Sequence, residues 1–373
     1  MRVCIVSEDG LPDVRVEKQI KTLSKKDYEI HYIGPHRSLT GIIERNLIRS
    51  VHELYWSVYA NLKLEPYYTW TKRKLSKLLS KVKPELVIVV NIAAGIMVHE
   101  LGYPMIYDDH ELYSMEVKYK YIPKTLLKKW AYKRKITLYR KWEEEIASNH
   151  PVMVVSKESK KYYENIGATN VEVIRNYPIR DEVENITITD LECSNIIFTY
   201  IGNDITRTEP SMYRDMRTFW HTFKSIYNET RRVKIIVIGD KELVSNEMVQ
   251  SVGYVKHIEM YKYVTKSHFG VLAWAPSPFH KYCNPNKPYI YVHGGSIPII
   301  TSSLTDVVDD LGKYSVLIPC DNFEKELKDK MKELLTYDCF EINKLRRQLL
   351  NYARSNLLWD KQEYRIFKLL SKA

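Results

Sequence analysis

Cysteine, glycine and proline are scarce in this chain, and long apolar runs are missing. Of its 373 residues, 5 are cysteine, 13 glycine and 15 proline, which excludes collagen-like and low-complexity proteins. The cysteines are far apart and never spaced as Cys-x-x-Cys, so we expect neither a disulfide framework nor a zinc site and favour a reducing cytosol. No apolar run reaches the ~18 residues of a membrane-spanning helix, and the acidic Glu8 comes too early for a signal peptide. We therefore expect a cytoplasmic protein.

The chain does contain enough apolar sequence for two domains. Hydrophobic residues make up 45% and charged residues 28% of a length that exceeds one ordinary core. The net charge of +11 is unevenly distributed, because residues 1–180 hold 31 Lys and Arg against 21 Asp and Glu, whereas residues 181–373 hold 26 against 25. A basic first half favours an anionic partner on one face of the molecule. The near-neutral second half argues against a nucleic-acid-binding protein.

Short apolar runs alternate with amphipathic segments along the whole chain. A continuous apolar run such as Leu86–Asn91 is typical of a strand buried on both faces of a parallel sheet. We predict further strands at Arg2–Ser7, Glu29–Ile33, Met105–Tyr107, Val152–Val155, Val171–Ile174, Ile196–Ile201, Val233–Ile238, Val271–Ala273, Ile297–Ile300 and Ser315–Ile318. A polar segment interrupts this series near residue 180. The pattern predicts two Rossmann-like, doubly wound α/β domains, residues 1–180 and 181–355, facing a central cleft. Residues 356–373 are expected to form a helix that packs back on the first domain.

Polar segments follow four of the predicted strands, where open α/β sheets bind their ligands. In the first, Gly10 permits close backbone approach before a helix N-terminus, although a turn capped by Asp13 explains it equally well. In the second, His110 lies between Asp109 and Glu111 and has the surroundings of a tuned imidazole. A solvated histidine in a surface turn is the alternative for this second segment.

The other two segments combine small residues with basic side chains. Gly202 and Arg207 follow the first strand of the second half, and backbone N–H groups with a guanidinium suit a phosphate. Lys287 precedes a short helix, whose N-terminus would present its charge and N–H groups to a diphosphate. Ordinary turn chemistry and a lone surface lysine are the alternatives.

Taken in order, these segments resemble the GT-B glycosyltransferases, in particular the retaining enzymes of glycosyltransferase family 4. The resemblance is carried by Asp13-Val-Arg-Val-Glu-Lys-Gln, Ile106-Tyr-Asp-Asp-His-Glu-Leu-Tyr, Val154-Val-Ser-Lys-Glu-Ser, Val173-Ile-Arg-Asn-Tyr-Pro, Tyr200-Ile-Gly, Pro285-Asn-Lys and Trp359. It implies the GT-B fold and a hexosyltransferase that moves a sugar from a nucleotide-diphosphate-sugar donor to a lipid-linked or glycan acceptor. It also implies retention of anomeric configuration without a metal ion or other cofactor.

The resemblance further implies roles for individual residues. His110 is expected near the transferred sugar. The donor would be held mainly by the second domain, through Gly202, Arg207, Asn286, Lys287, Tyr291 and Gly294. The acceptor side would be formed by the first domain, through Gly10, Arg15, Asp109 and Glu111.

One departure from the family pattern supports a second interpretation. Family members commonly carry a Glu-x7-Glu pattern in the donor loop, and here the corresponding positions are Tyr282 and Ile290. The alternative is therefore a non-catalytic GT-B scaffold that binds a sugar nucleotide or a partner.

The basic charge of the first half is concentrated in one segment. Lys118–Lys141 contains ten Lys and Arg, no acidic residue, and aromatic residues that include Trp130 and Tyr139. A second aromatic region lies at Trp56–Trp70. Basic helices with aromatic residues are typical of peripheral membrane association with anionic lipid, which we predict here. A solvated helix with core aromatics is the alternative, and no nucleic-acid partner is expected.

Overall fold

The computed structural model describes residues 1–36, 41–43, 45–120, 123, 125–206 and 213–372. The chain forms two compact units, one made of Met1–Arg175 with Gln362–Ala373 and the other of Asn176–Lys361. The sequence pattern predicts the corresponding divisions at residues 180 and 355.

The first unit is built on a seven-stranded, wholly parallel sheet with the order β3-β2-β1-β4-β5-β6-β7. Its central strand β4 is a run of buried Val, Ile and Leu side chains, as expected where helices cover both faces of a sheet. The strands are β1 (Arg2–Ser7), β2 (Glu29–Ile33), β3 (Ser50–His52), β4 (Leu86–Val90), β5 (Met105–Asp109), β6 (Val152–Val154) and β7 (Val171–Val173).

Helices connect these strands in the right order for a doubly wound fold. They are α1 (Val14–Ser24), α2 (Tyr67–Val82), α3 (Ile92–Glu100), α4 (Tyr113–Lys120), α5 (Leu126–Asn149) and α6 (Lys157–Asn165). Helix α1 begins where the Asp13 carboxylate accepts hydrogen bonds from the N–H groups of Arg15 and Val16, which satisfies two of the helix's exposed donors. This cap fixes the start of α1 and thereby the position of Arg15 at the carboxyl edge of the sheet.

The second unit repeats the architecture with a six-stranded parallel sheet of order β10-β9-β8-β11-β12-β13. Its first helix is α7 (Arg180–Val183). The strands are β8 (Ile196–Ile201), β9 (Val233–Ile238), β10 (Val249–Gly253), β11 (Phe269–Leu272), β12 (Ile297–Thr301) and β13 (Val316–Ile318). The remaining helices are α8 (Arg217–Thr230), α9 (Tyr261–Val264), α10 (Lys287–His293), α11 (Thr305–Leu311), α12 (Phe323–Glu333) and α13 (Cys339–Asn356).

The chain returns to the first unit in its last helix, α14 (Glu363–Leu370). The Glu363 carboxylate accepts hydrogen bonds from Thr22 Oγ1 at 2.9 Å and Lys25 Nζ at 2.8 Å, both at the end of α1. Gln362 also exchanges hydrogen bonds with the backbone of Arg175. The C-terminal segment is thus part of the first unit.

Two features of the fold differ from the sequence expectations. The edge strands β3 and β10 were not predicted, because their residues are polar or half-exposed and form no apolar run. A disulfide joins Cys193, just before β8, to Cys339, the first residue of α13, with Cα atoms 5.6 Å apart. The expectation of no disulfide is therefore corrected: a separation of 146 residues conceals a pair that only the folded unit brings together.

Candidate functional site

Strand β5 runs further than the sequence predicted, and this decides the surroundings of the Asp-Asp-His segment. The parallel pairing with β6 continues through Asp108 and Asp109, opposite Met153 and Val154. Because successive side chains of a strand point to opposite faces of the sheet, the two neighbouring carboxylates face opposite ways. Asp108 and Asp109 therefore contact different side chains of the first unit.

Asp108 is the centre of a buried cluster at the carboxyl edge of the first sheet. Its carboxylate accepts hydrogen bonds from Arg15 Nη2 at 2.7 Å and Nε at 3.0 Å, and one from Gln19 Nε2. Arg15, which is itself buried, also donates from Nη1 to the carbonyl oxygen of Ile174 at 2.7 Å. The cluster thus joins the start of α1 and the ends of β5 and β7.

His110 belongs to the same cluster, with its Nε2 lying 2.9 Å from Asp108 Oδ2. Burial favours the neutral carboxyl, but Arg15 and His110 together hold the pKa of Asp108 well below its usual range. Burial also opposes a charge on the imidazole, yet the Asp108 carboxylate raises the pKa of His110 above its ordinary value. An imidazole with one nitrogen fixed by a carboxylate is oriented so that the other can meet a ligand.

Asp109 lies on the opposite face, so its predicted place beside His110 is corrected. It is fully buried and accepts a hydrogen bond from Tyr107 at 3.2 Å. Burial, followed by the nearby Glu143 carboxylate, raises the pKa of Asp109 well above its usual range. The alternation of side chains along β5 explains the difference, and Asp109 is a buried core residue.

The other two residues predicted for the acceptor side lie in the same region. Glu111 is half-buried in the turn between β5 and α4. Gly10 is buried with a φ of +84°, and a Cβ there would come within 2.7 Å of the Pro35 carbonyl oxygen. The absence of a side chain at Gly10 is therefore required for packing against Pro35.

Sequence reasoning missed a second polar group at the carboxyl ends of β1 and β4. Asn91 connects it, accepting a hydrogen bond from the Glu8 N–H at 3.1 Å and donating to Asp9 and to the Tyr113 hydroxyl, each at 2.6 Å. The Glu8 carboxylate accepts from the Ala94 N–H at 2.9 Å, and burial raises its pKa to about 7. Asn91, at the end of an apolar run, and the early Glu8-Asp9 pair were the available signals.

In the second unit, Gly202 and Lys287 meet at the carboxyl edge of the sheet through Tyr200. Gly202 has a φ of +153°, and a Cβ there would come within 2.9 Å of both the Tyr200 hydroxyl and Asp204. Lys287 donates from Nζ to the Tyr200 hydroxyl at 3.3 Å and lies 4.6 Å from the centre of its ring. The small residue therefore makes room for the aromatic ring that contacts the lysine.

Lys287 is a cation in a poorly hydrated place. Its Nζ also lies 5.5 Å from the ring centre of the buried Trp274. Burial lowers the pKa of Lys287 to about 8, with Asp204 raising it and Arg214 lowering it. A partly desolvated ammonium at the start of α10 gains more from an anionic ligand than one surrounded by water.

The turn before Lys287 is held by asparagines from two motifs. Asn284 accepts a hydrogen bond from the Asn176 N–H at 2.8 Å, and the Asn176 side chain donates to the Asn284 carbonyl at 2.6 Å. Asn284 then donates to Tyr289 at 2.7 Å. Asn286, the residue before α10, caps the helix with no side-chain hydrogen bond, and its Oδ1 has no partner within the described part of the chain. Asn284, which sequence reasoning missed, fixes this turn, and the role of Asn286 stays a prediction.

Tyr291 and Gly294, two more residues predicted to bind the donor, lie further along and just beyond α10. The Tyr291 hydroxyl accepts from the Ile201 N–H and donates to the Val271 carbonyl, both at 3.1 Å, and so joins β8 to β11. Gly294 ends α10, and a Cβ there would come within 2.4 Å of Val264. The donor contacts of these two residues stay a prediction.

Two further predictions concern residues outside this cluster. Arg207 lies outside the described residues. Ile290, at the position of an expected glutamate, is buried in an apolar cluster that includes Ile201, Ile238 and Val264, so the departure from the family pattern is built into the core. Among the residues that the structure describes, no group of three or more His, Cys, Asp or Glu side chains is arranged to hold a metal ion.

Comparison with known proteins identifies the fold. Residues 13–177 match the family model described as Glycosyltransferase Family 4, whereas no curated protein matches the chain in sequence. The structure is similar to sucrose-phosphate synthase from Thermosynechococcus elongatus, with a TM-score of 0.70 and 13% identity over 100% of this chain and 98% of that one. It is also similar to Anabaena HepE in complex with UDP and glucose, with a TM-score of 0.69 and 12% identity over 100% of both chains. A glycosyltransferase from Rickettsia africae gives a TM-score of 0.67 and 13% identity, over 100% of this chain and 98% of that one.

The chain has the GT-B fold, and the predicted resemblance to the GT-B glycosyltransferases of family 4 is confirmed. The family match over residues 13–177, together with this fold, supports a glycosyltransferase.

Proposed function

We propose that the protein transfers a hexosyl group from a nucleotide-diphosphate sugar to a lipid-linked or glycan acceptor, with retention of anomeric configuration. The observation that carries the proposal is Lys287, held at the start of α10 against Tyr200 and beside the Gly202 turn. This arrangement offers a poorly hydrated cation to a diphosphate. The similar HepE structure, which contains UDP and glucose, supports the choice of donor class.

The same arrangement suggests how the reaction would proceed without a metal. When the anomeric C–O bond breaks, positive charge develops on the sugar and negative charge on the departing diphosphate. A fixed ammonium at the diphosphate stabilises that charge as it forms, which is the task of a divalent metal in other enzymes. We therefore propose metal-independent transfer, with Lys287 as the diphosphate contact.

His110 is proposed to lie near the transferred sugar on the acceptor side. Asp108 fixes one nitrogen of the imidazole at 2.9 Å, and Arg15 fixes Asp108. This leaves His110 partly exposed with a raised pKa, which suits a hydrogen bond to a sugar hydroxyl. The role of Arg15 is therefore indirect, through Asp108.

Donor binding can be tested with a panel of nucleotide sugars in a thermal-shift assay. A donor at 100 times its Kd should add about 2.7 kcal/mol to the stability of the protein, and the shift should persist in EDTA. Lys287→Ala should lose about 1.5–3 kcal/mol of donor binding, whereas Lys266→Ala, an exposed lysine of the same unit, should bind like the parent. Equal binding by both variants would place the diphosphate elsewhere.

The second candidate function is a non-catalytic GT-B scaffold, and Ile290 is the observation that favours it. Its burial among apolar side chains leaves no carboxylate where the family pattern has one. A scaffold would bind nucleoside diphosphates but neither hydrolyse nor transfer labelled sugar. Product formation from any donor of the panel excludes it.

We further propose that the first unit docks on anionic membrane surfaces. The first half of α5 forms a basic–aromatic surface, defined here as Leu126–Arg134, in which Leu126 and Leu127 are 84% and 75% exposed and Trp130 is 54% exposed. The second half of the helix packs into the core through Trp142. No helix in the described ranges is both long and apolar enough to cross a bilayer.

A second cluster of exposed aromatic rings extends this surface. Arg134 Nε donates to the Leu62 carbonyl at 3.3 Å, which brings the basic–aromatic surface beside the segment that carries Tyr59, Tyr67 and Trp70. Their rings contact one another, with centres 4.8 Å and 5.9 Å apart. Exposed aromatic and basic side chains together suit the headgroup region of a bilayer.

Vesicle co-sedimentation tests this docking. Each Lys or Arg near an anionic surface contributes about 1 kcal/mol, so binding should be strong at low salt, weak at high salt and absent on zwitterionic vesicles. Charge reversal of Lys128, Lys129 and Lys133 should release the protein, whereas reversal of the exposed Lys325 and Lys328 in the second unit should not. Binding that is the same on neutral and anionic lipid would refute the proposal.

A further inference from the structure

Trp274 is a buried aromatic residue at the carboxyl end of the second sheet, directly after β11. It is 1% exposed, and its backbone carbonyl accepts a hydrogen bond from Thr301 Oγ1 on β12. The next residue, Ala275, donates its N–H to the Asp215 carbonyl at 2.9 Å. These two hydrogen bonds fix the backbone that carries the indole.

Two cations share the ring of Trp274. Lys287 Nζ lies 5.5 Å and the Arg214 guanidinium 5.8 Å from its centre. Lys287 is in addition 4.6 Å from the centre of the Tyr200 ring, so two aromatic rings contact its ammonium. Cation–ring contacts of this length are attractive, and more so when water is excluded. They keep two positive charges close together despite their repulsion.

The indole N–H of Trp274 is buried and has no hydrogen-bond partner within the described part of the chain. Lys and Arg side chains carry only donors, so neither neighbouring cation can accept from it. The carboxylate of Asp204 accepts from the Tyr200 hydroxyl and makes no hydrogen bond with the indole. A buried donor without a partner is unfavourable, and an anionic oxygen is the ligand that would satisfy it beside two cations.

We propose that Trp274 is a binding and positioning residue for the diphosphate of the donor, donating its N–H to a phosphate oxygen and holding Lys287 and Arg214 at that group through its ring. This inference rests on the proposed function, because it assumes that a nucleoside diphosphate occupies the site beside Lys287. It adds a residue that the family resemblance does not assign. Phe in place of Trp would keep an aromatic face and lose the N–H.

The charges around Lys287 give the proposal a pH signature. The groups that face it are the Tyr200 hydroxyl, Asp204 and Arg214. The ring of His280, whose pKa burial lowers to about 4, lies 5.7 Å from that of Trp274. Burial lowers the pKa of Lys287 to about 8. Since Lys287 attracts a diphosphate only when it is protonated, the affinity of the protein for the diphosphate should fall as the pH rises through about 8.

Isothermal titration of UDP and of inorganic pyrophosphate into the parent, W274F and W274L tests the proposal, with W220F on α8 as the control. For W274F we expect binding of both probes to weaken about tenfold, from the lost hydrogen bond, and for W220F no change. W274L should in addition admit water around Lys287, so its loss of affinity with pH should move to higher pH. Circular dichroism and thermal melting identify any variant that fails to fold. If W274L fails to fold, the comparison of W274F with the parent tests the proposal.

The outcomes separate this proposal from the one on which it rests. If the parent binds neither UDP nor pyrophosphate, the proposed donor site is wrong. If the parent binds UDP and W274F binds it equally well, the donor site stands and the role of Trp274 is refuted. If W274L is weaker but keeps the parent's pH profile, Trp274 has only a structural role and its positioning of Lys287 is refuted.

Discussion

Asparagine in place of Asp108 should lower stability, whereas asparagine in place of the adjacent Asp109 should not, although both side chains are fully buried. Asp108→Asn removes the charge that Arg15 and His110 share and places an amide donor against donors. The loss of a carboxylate that compensates a buried guanidinium typically costs about 3–5 kcal/mol. We therefore expect the free energy of unfolding of the first unit to fall by about that amount at pH 7.

Asp109→Asn is the matched control. The pKa of Asp109 is raised well above its usual range by burial and by Glu143, so its ionisation is less favourable in the folded protein than in the unfolded chain. A raised folded pKa of an acid destabilises the fold at any pH above the unfolded pKa. An amide has no such proton to take up, so Asp109→Asn should leave the free energy of unfolding unchanged or increase it.

Hydrogen exchange measured by mass spectrometry suits this comparison, because it reports on the two units separately. Peptides that contain β5 and α1 should lose protection in Asp108→Asn and keep it in Asp109→Asn, while peptides from the second unit serve as an internal reference. Equal losses in the two variants would refute the assignment of the two side chains to opposite faces of β5.

Three other changes test further parts of the structure. His110→Ala should depress turnover more than binding of the nucleoside diphosphate, and equal loss of both would indicate a structural histidine. NMR titration should give His110 a raised pKa. The stability from its pair with Asp108 should therefore be complete below pH ~6.5 and be lost as the pH rises through the folded pKa. Reduction of the Cys193–Cys339 disulfide should lower the stability of the second unit by about 2–4 kcal/mol, seen as a lower melting temperature in dithiothreitol. A Cys193→Ser/Cys339→Ser variant should melt at the same temperature with and without dithiothreitol. Tyr291→Phe should cost about 1–2 kcal/mol of stability through two lost hydrogen bonds, measured by thermal melting. Reduced UDP affinity in a fully folded variant would support the predicted donor contact.

Much of the fold was predictable because its strands are apolar and its motifs stand at strand ends. Runs such as Leu86–Val90 and Val233–Ile238 are buried in parallel sheets, and an apolar run of this length has few other stable placements. The edge strands β3 and β10 have one neighbour each and stay partly exposed. Their sequences therefore carry no comparable signal.

The candidate sites were predictable in position but not in detail. Arg15, His110 and Lys287 could be selected by residue type and by their place after a strand or before a helix. His110 pairs with Asp108 and not with Asp109 because β5 continues for two residues beyond its predicted end at Tyr107. The apolar pattern of the sequence does not reveal this extension. Trp274 lies between the motifs in sequence, and its contacts with Lys287 and Arg214 exist only in the folded unit.

The release of nucleoside diphosphate from a nucleotide sugar tests the central claim most directly. With purified protein, an acceptor extract and EDTA, at least one donor of a panel should release its diphosphate and transfer labelled sugar. Lys287→Ala should slow this release about tenfold or more, as expected for a lost charge-assisted contact, whereas Lys266→Ala should not. If no donor of the panel is turned over by the folded protein, or if Lys287→Ala is as active as the parent, the protein does not transfer sugar in the way proposed here.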